Sequence, residues 1–173
     1  RNITELWLGG DHYKWRLMRS AGVGEDYITG KQPDEAKFRA FCKVLPLAIG
    51  YPMYHWCHLE LRRLLGIDLL INEANASAIW EQANAKLAKM DTWSFLEQAK
   101  VDVACTTDDP ADDLAAHEAL AKSDLKTRVL PAYRPDKAMH IEAAGFPADL
   151  EKLGKAAGVS IDSFASLVKA LAA

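Results

Sequence analysis

The chain has 173 residues, half of them hydrophobic and 26% charged, with a net charge of −3. That length holds one domain with a sizeable core, or a large piece of a bigger one, and the composition is that of a soluble globular protein. The charge balance gives no nucleic-acid footprint, and no apolar run approaches the ~20 residues that a membrane helix needs. The start, Arg1-Asn-Ile-Thr, lacks Met and resembles neither a signal nor a transit peptide, which suggests a fragment. Cys42, Cys57 and Cys105 are odd in number and form no C-x-x-C pair. Reduced, buried thiols in the cytoplasm are therefore expected rather than a disulfide framework.

In chain order, Gly9 and Gly10 let the backbone bend, and Asp11 is a good N-cap for a short helix from His12 to Arg19 that ends near Gly22. A turn-rich loop follows to Lys31. Pro33 opens a helix with Asp34 and Glu35 in its first turn, and Phe38, Phe41, Cys42 and Leu45 form one apolar face. Pro46 and Gly50-Tyr-Pro52 interrupt it. Pro52 then starts a helix that stops at Gly66, with Tyr54, Cys57, Leu61, Leu64 and Leu65 as its buried stripe. Asn72 or Asn75 caps the next helix, where Ala76, Ile79, Trp80, Ala83 and Leu87 keep the helical period. Thr92 begins a short one containing Trp93 and Leu96. Residues 11–100 thus read as an irregular or orthogonal helical bundle.

The texture changes at Val101. Val101–Cys105 alternates toward a strand, Thr106–Pro110 turns into a helix from Pro110 to about Ser123, and Thr127–Pro131 is a second strand before a polar turn at Tyr133–Asp136. Strand, loop, helix, strand, loop is part of a parallel α/β unit. The tail is helical: Pro147–Ala157 stops near Gly158, and Ser160 caps a helix carrying Ile161, Phe164, Leu167, Val168 and Leu171.

Four groups of residues offer chemistry. His12 and Tyr13, in a first helical turn with orphan backbone N–H groups, form a plausible proton-transfer pair beside an anion site. The plainer alternative packs Tyr13, Trp15, Leu17 and Met18 into a core. His55 and His58 lie at i and i+3 and could reach one metal, but HExxH is absent and no third ligand is evident, so a structural role is favoured. Asp108, Asp109, Asp112 and Asp113 could bind a cation through oxygen, although capping of a helix N-terminus explains them more simply. Arg134 follows a strand and can grip a carboxylate with two parallel bonds, or pair with Asp136. Arg16 and Arg19 read as surface charges.

The run Leu6-Trp-Leu-Gly-Gly-Asp-His-Tyr-Lys-Trp-Arg16 resembles the signature of uronate (glucuronate) isomerases, a divergent branch of the amidohydrolase superfamily. Tyr54-His-Trp-Cys-His-Leu-Glu-Leu61, Cys105-Thr-Thr-Asp-Asp-Pro110 and Tyr133-Arg-Pro-Asp-Lys137 are similar to further family elements in the family's order. The resemblance implies an isomerase that interconverts D-glucuronate with D-fructuronate and D-galacturonate with D-tagaturonate. It implies Tyr13 and His12 as catalytic and substrate-binding candidates, and Arg134 as the anchor of the sugar carboxylate.

It also implies a mainly α piece with a few short strands, cut from a larger (β/α)8-barrel enzyme that needs ~250 residues. Residues 1–100 would be the helical insertion region, 101–145 the strand–loop–helix elements adjoining the barrel and 146–173 the C-terminal helices, together one compact unit. The superfamily's metal-binding His-x-His belongs to an earlier strand missing here. No cofactor is therefore expected within the fragment, with a divalent metal such as zinc reserved for the complete enzyme. The expected partners are a uronate sugar and the remaining barrel, with room for a homo-oligomer, and the fragment alone should be inactive. The competing reading is a free-standing helical binding module without catalysis.

Overall fold

Asn2 opens the first helix of the computed structural model, which describes residues 2–173. Helix α1 (Ile3–Leu8) starts in a capping box: the Asn2 side chain accepts from the Glu5 amide while the Glu5 carboxylate accepts from the Asn2 amide. Sequence patterning misses this helix because six residues carry too little periodicity. Its signal is the Asn-x-x-Glu spacing. Helix α2 (His12–Ser20) follows with Asp11 as its N-cap, as predicted.

Helix α3 (Asp34–Val44) passes into a 3-10 turn at Leu45–Ala48, because Pro46 has no N–H to continue the ladder. Helix α4 (Pro52–Leu65) stops at Gly66, in the left-handed region that a residue without Cβ enters freely. The Lys86 ammonium holds the Leu65 carbonyl at that end. Helix α5 (Ala76–Leu87) has Asn75 as its N-cap residue but no side-chain cap, whereas Asn72 Oδ1 closes the preceding turn by accepting from the Asn75 amide at 2.9 Å. Helix α6 (Thr92–Gln98) begins in a capping box between Asp91 and Ser94.

These helices share one core. Phe38, Phe41, Cys42 and Leu45 are fully buried, as are Ile3, Met18, Leu61 and Ile79. Trp7 of α1 packs 5.8 Å edge-on against Phe41 and 6.1 Å from Phe38, and Trp80 closes the other side of Phe38 at 5.7 Å. On α4 the predicted stripe holds, with Cys57, Leu61 and Leu65 buried and Tyr54 and Leu64 half-buried against them.

The core cluster lies entirely between Ile3 and Ala83. The chain accordingly forms two compact units, Arg1–Lys100 and Val101–Ala173, where a single one was expected. In the second unit β1 (Val103–Cys105) pairs in parallel with β2 (Arg128–Leu130), with Val103 opposite Arg128 and Cys105 opposite Leu130. Helix α7 (Ala115–Ala121) is the crossover. It starts later than the predicted Pro110. Asp109 accepts from the Ala111 amide and Asp112 from the Asp109 amide, so side-chain-closed turns occupy the residues assigned to the first turn.

Helix α8 (Phe146–Ala157) stops at Gly158, again left-handed. Helix α9 (Phe164–Leu171) is capped by Ser163 through a box with Ser166, not by Ser160. Leu153 and Ala170 are buried where α8 and α9 pack. Cys42 and Cys57 are buried, whereas Cys105 is exposed, against the expectation that all three thiols are inside. No described helix is long and apolar enough to cross a membrane. The fold is mainly helical with one small parallel sheet, as the sequence indicates.

Candidate active site

Asp11 organises the first turn of α2. Its Oδ1 accepts from the amides of Tyr13 (2.9 Å) and Lys14 (3.2 Å), and its Oδ2 takes the Lys14 ammonium at 2.5 Å. Two of the amides expected to point outward as an anion site, those of Tyr13 and Lys14, are therefore already used by the cap. Lys14 is buried, with 11% of its side chain exposed against 31% for Asp11. Burial raises the Asp11 carboxyl, but the bonds from Lys14 and the Tyr13 amide outweigh it and hold the group below its ordinary range. Across from it on α4, burial pushes the Glu60 carboxyl up, opposed by the Lys14 charge and the Trp7 indole N–H. A salt-bridged lysine thus closes the turn carrying His12 and Tyr13 onto its own N-cap, with its charge felt by Glu60.

Trp15 fixes the other flank of that turn by donating its indole N–H to the Leu8 carbonyl at 2.6 Å. With Lys14 and Met18 inward, His12, Tyr13 and Arg16 face out. Tyr13 is 56% exposed, which overturns the alternative that packs it in the core; Met18 is buried, and Trp15 and Leu17 lie partly buried against it. The His12 and Tyr13 rings lie 4.3 Å apart with a 32° tilt, and the Arg16 guanidinium sits 5.8 Å from the Tyr13 ring. A phenol, an imidazole and a guanidinium are thereby presented side by side on a fixed turn. Arg19 is paired instead with Glu25 at 2.5 Å, and that contact with the Thr29 hydroxyl lowers the Glu25 carboxyl to about 2.

His58 is structural. Its Nε2 accepts from the Ile71 amide at 2.9 Å, which makes Nδ1 the protonated nitrogen, and Nδ1 donates to the Tyr54 carbonyl at 2.7 Å. Both nitrogens are used, so no lone pair is left for a metal. His55 lies exposed on α4. Among the described residues no group of three or more His, Cys, Asp or Glu side chains is placed to hold a metal ion. The acidic cluster follows the same pattern: Asp109, Asp112 and Asp113 accept from local turn amides, and Asp109 and Asp112 also pair with Lys137 (3.4 Å) and Lys152 (3.2 Å).

In the second unit the parallel pairing runs past the strands. The Asp108 amide donates to the Ala132 carbonyl (3.0 Å) and the Arg134 amide donates to the Asp108 carbonyl (2.9 Å), so Arg134 sits on the last rung. Tyr133 anchors the same turn by donating to the Leu171 carbonyl at 2.8 Å. The Arg134 side chain is half exposed and pairs with Asp136 through Nη2 at 3.1 Å, the local partner weighed as its alternative. One monodentate contact leaves a guanidinium with further donors. His117, on α7, is the residue that sequence reading passes over. It reaches Thr106 at 2.7 Å, beside Asp108.

Comparison with known proteins fits this framework. The family model described as glucuronate isomerase matches residues 1–173. Uronate isomerases of Caldicellulosiruptor saccharolyticus and Bacillus subtilis are each 49% identical over 99% of the chain, which spans 37% of their length. The crystal structure of uronate isomerase from Thermotoga maritima superposes on 98% of the chain and 38% of its own, at 38% identity and a TM-score of 0.89. That of glucuronate isomerase from Caulobacter crescentus, at 24% identity, shares the fold with a TM-score of 0.85 over 98% of the chain and 37% of its own. With the family pattern matched from one end to the other, the chain belongs to the glucuronate isomerase family.

Proposed function

We propose that this chain is a fragment, within a longer (β/α)8-barrel enzyme, of an aldose–ketose isomerase acting on D-glucuronate and D-galacturonate. The observation that carries the reading is the family match over residues 1–173. At 37% of the relatives' length the chain contributes the helical region and two strands, and is inactive alone. The enzyme is cytoplasmic, its partners being the sugar, the rest of the barrel and further copies of itself.

The reaction moves a proton between C2 and C1 through an enediol-type intermediate. It needs a base, a group for the carbonyl oxygen, and donors for the developing negative charge. Tyr13 is the proton-transfer candidate, with its phenol exposed on a capped turn. His12, against its ring, serves the sugar hydroxyls, and Arg16 contributes positive charge beside the phenol. Arg134 takes the C6 carboxylate by two parallel N–H bonds, exchanging its contact with Asp136 for the substrate. The described residues do not fit a divalent metal such as zinc, so ligands for one would come from outside this chain.

The test is ketose formation from both sugars by the full-length chain. Arg134→Met is expected to raise KM about tenfold or more with kcat largely kept, and Tyr13→Phe to lower kcat with little change in KM. An unchanged KM removes the carboxylate role of Arg134, and full activity in Tyr13→Phe removes that residue from proton transfer. No turnover in a folded, metal-supplemented sample would leave a helical binding module instead.

A further inference from the structure

His117 has a buried ring nitrogen, Nδ1, with no hydrogen-bond partner, while its other nitrogen is engaged. Neighbouring contacts fix which nitrogen carries the proton. Thr106 Oγ1 lies 2.7 Å from Asp108 Oδ2 and 2.7 Å from His117 Nε2. The hydroxyl has one proton, and the carboxylate can only accept, so Thr106 donates to Asp108 and accepts from an Nε2–H of His117. Nδ1 is then a bare lone pair kept from water, an arrangement that costs stability relative to an apolar side chain of similar size. The bond made by the other nitrogen is what the imidazole provides there.

That bond leads directly to Arg134. Asp108 Oδ2, held by Thr106, also accepts from the Ala132 amide at 3.1 Å, and the main chain of Asp108 pairs on both sides with the 132–134 segment. Beyond Leu130 the regular strand has ended, and residues 132–134 are held by Asp108 together with the bond from the Ala132 amide to the Thr106 carbonyl (3.2 Å) and the Tyr133 hydroxyl on Leu171. Asp108 and His117 side chains are only 16% and 15% exposed, whereas Thr106, which joins them, is exposed. We infer that His117 is a positioning residue: through Thr106 and Asp108 it sets the rung from which Arg134 presents its guanidinium to an anionic sugar.

This inference rests on the reading of Arg134 as the carboxylate partner, and the experiment separates the two. In the full-length chain, His117→Leu is expected to raise KM for D-glucuronate about fivefold to tenfold with kcat within about twofold, since small misplacement of a binding group is felt strongly. His117→Gln, whose terminal amide can occupy the Nε2 position and donate to Thr106, should return KM close to the parent value. In an Arg134→Met background His117→Leu should add no further increase, because its route to the substrate is gone. Thr106→Val, which breaks the relay with the imidazole in place, should reproduce the rise and carries the test if His117→Leu does not fold.

A raised KM in Arg134→Met beside an unchanged KM in both relay variants overturns the positioning role alone. An unchanged KM in Arg134→Met overturns the binding role of Arg134 and the positioning role with it. Equal losses from His117→Leu with and without Arg134 would also overturn it, since His117 would then act elsewhere.

Discussion

Lys14→Met gives the sharpest test of how the His12–Tyr13 turn is held. Methionine keeps the apolar stem and removes only the ammonium, so the change isolates the charge that Asp11 meets at 2.5 Å. Exposed ion pairs contribute about 0–1 kcal/mol, and breaking a fully buried one costs about 3–5 kcal/mol. With 11% and 31% of the two side chains exposed, this pair lies between those limits. The expected loss is about 2 kcal/mol, or a fall of roughly 10 °C in the midpoint of a unit this size. All five tryptophans fall within the first 93 residues, so urea unfolding followed by indole fluorescence reads this unit.

The pH dependence of that loss has a defined sign. Asp11, lowered by its partners, contributes stability above its unfolded value of 3.8 that is lost as pH falls through its folded one. Glu60 is raised, so it contributes most below 4.5 and costs stability as pH rises through its folded value. Removing the Lys14 ammonium weakens the first contribution, leaving the bonds from the Tyr13 and Lys14 amides, and deepens the second. The deficit should therefore be largest near pH 7 and shrink below about pH 4. Asp11→Asn, which keeps a capping oxygen, should lose most of its effect in the Lys14→Met background. A Lys14→Met change below about 0.5 kcal/mol at pH 7, independent of Asp11, would refute the salt-bridge account.

Other outcomes follow from the same geometry. A thiol reagent should label Cys105 fast and Cys42 and Cys57 only on unfolding, because burial pushes both of the latter up to about 12; rapid labelling of three thiols in the native protein would contradict this. A carboxyl NMR titration should place Glu25 near 2, and Arg19→Met should move it back toward 4.5. Because that value is depressed, whatever stability the exposed pair gives is present above pH 4.5 and fades as pH falls toward 2; a Glu25 midpoint insensitive to Arg19 would show that the pair does not form.

What the sequence disclosed was local. Asp11 before His12, Pro52 after Gly50 and Gly66 after Leu65 each bound a helix through chemistry within one turn, and α2 and α4 lie where those signals put them. Apolar spacing likewise placed Phe38, Phe41, Cys42 and Leu45 in the core. Competition among local signals misled the reading at Pro110. Proline and acidic residues favour a helix start there, but Asp109 and Asp112 satisfy turn amides first and delay α7 to Ala115. At the tail, Ser160 and Ser163 are equally good caps by type, and only the partner three residues on, Ser166, selects the second.

The harder part of the site depends on register across long separations. The Lys14 charge acts on the Glu60 carboxyl through packing of α2 on its neighbours, which no spacing rule supplies. The role proposed for His117 depends on β1 and β2 pairing with Val103 opposite Arg128. Extended to the last rung, that register brings Asp108 beside Tyr133 and Arg134. Side chains alternate along a strand, so Thr106 and Asp108, two residues apart, share a face. A slip of one residue would turn both away from Ala132 and leave the imidazole without its hydroxyl. Arg134 stands out in the sequence by its own surroundings, whereas the residues packed around its rung are defined by the pairing. If Arg134 holds the carboxylate as proposed, substitutions that disturb the pairing should raise KM for D-glucuronate while leaving every recognisable motif intact.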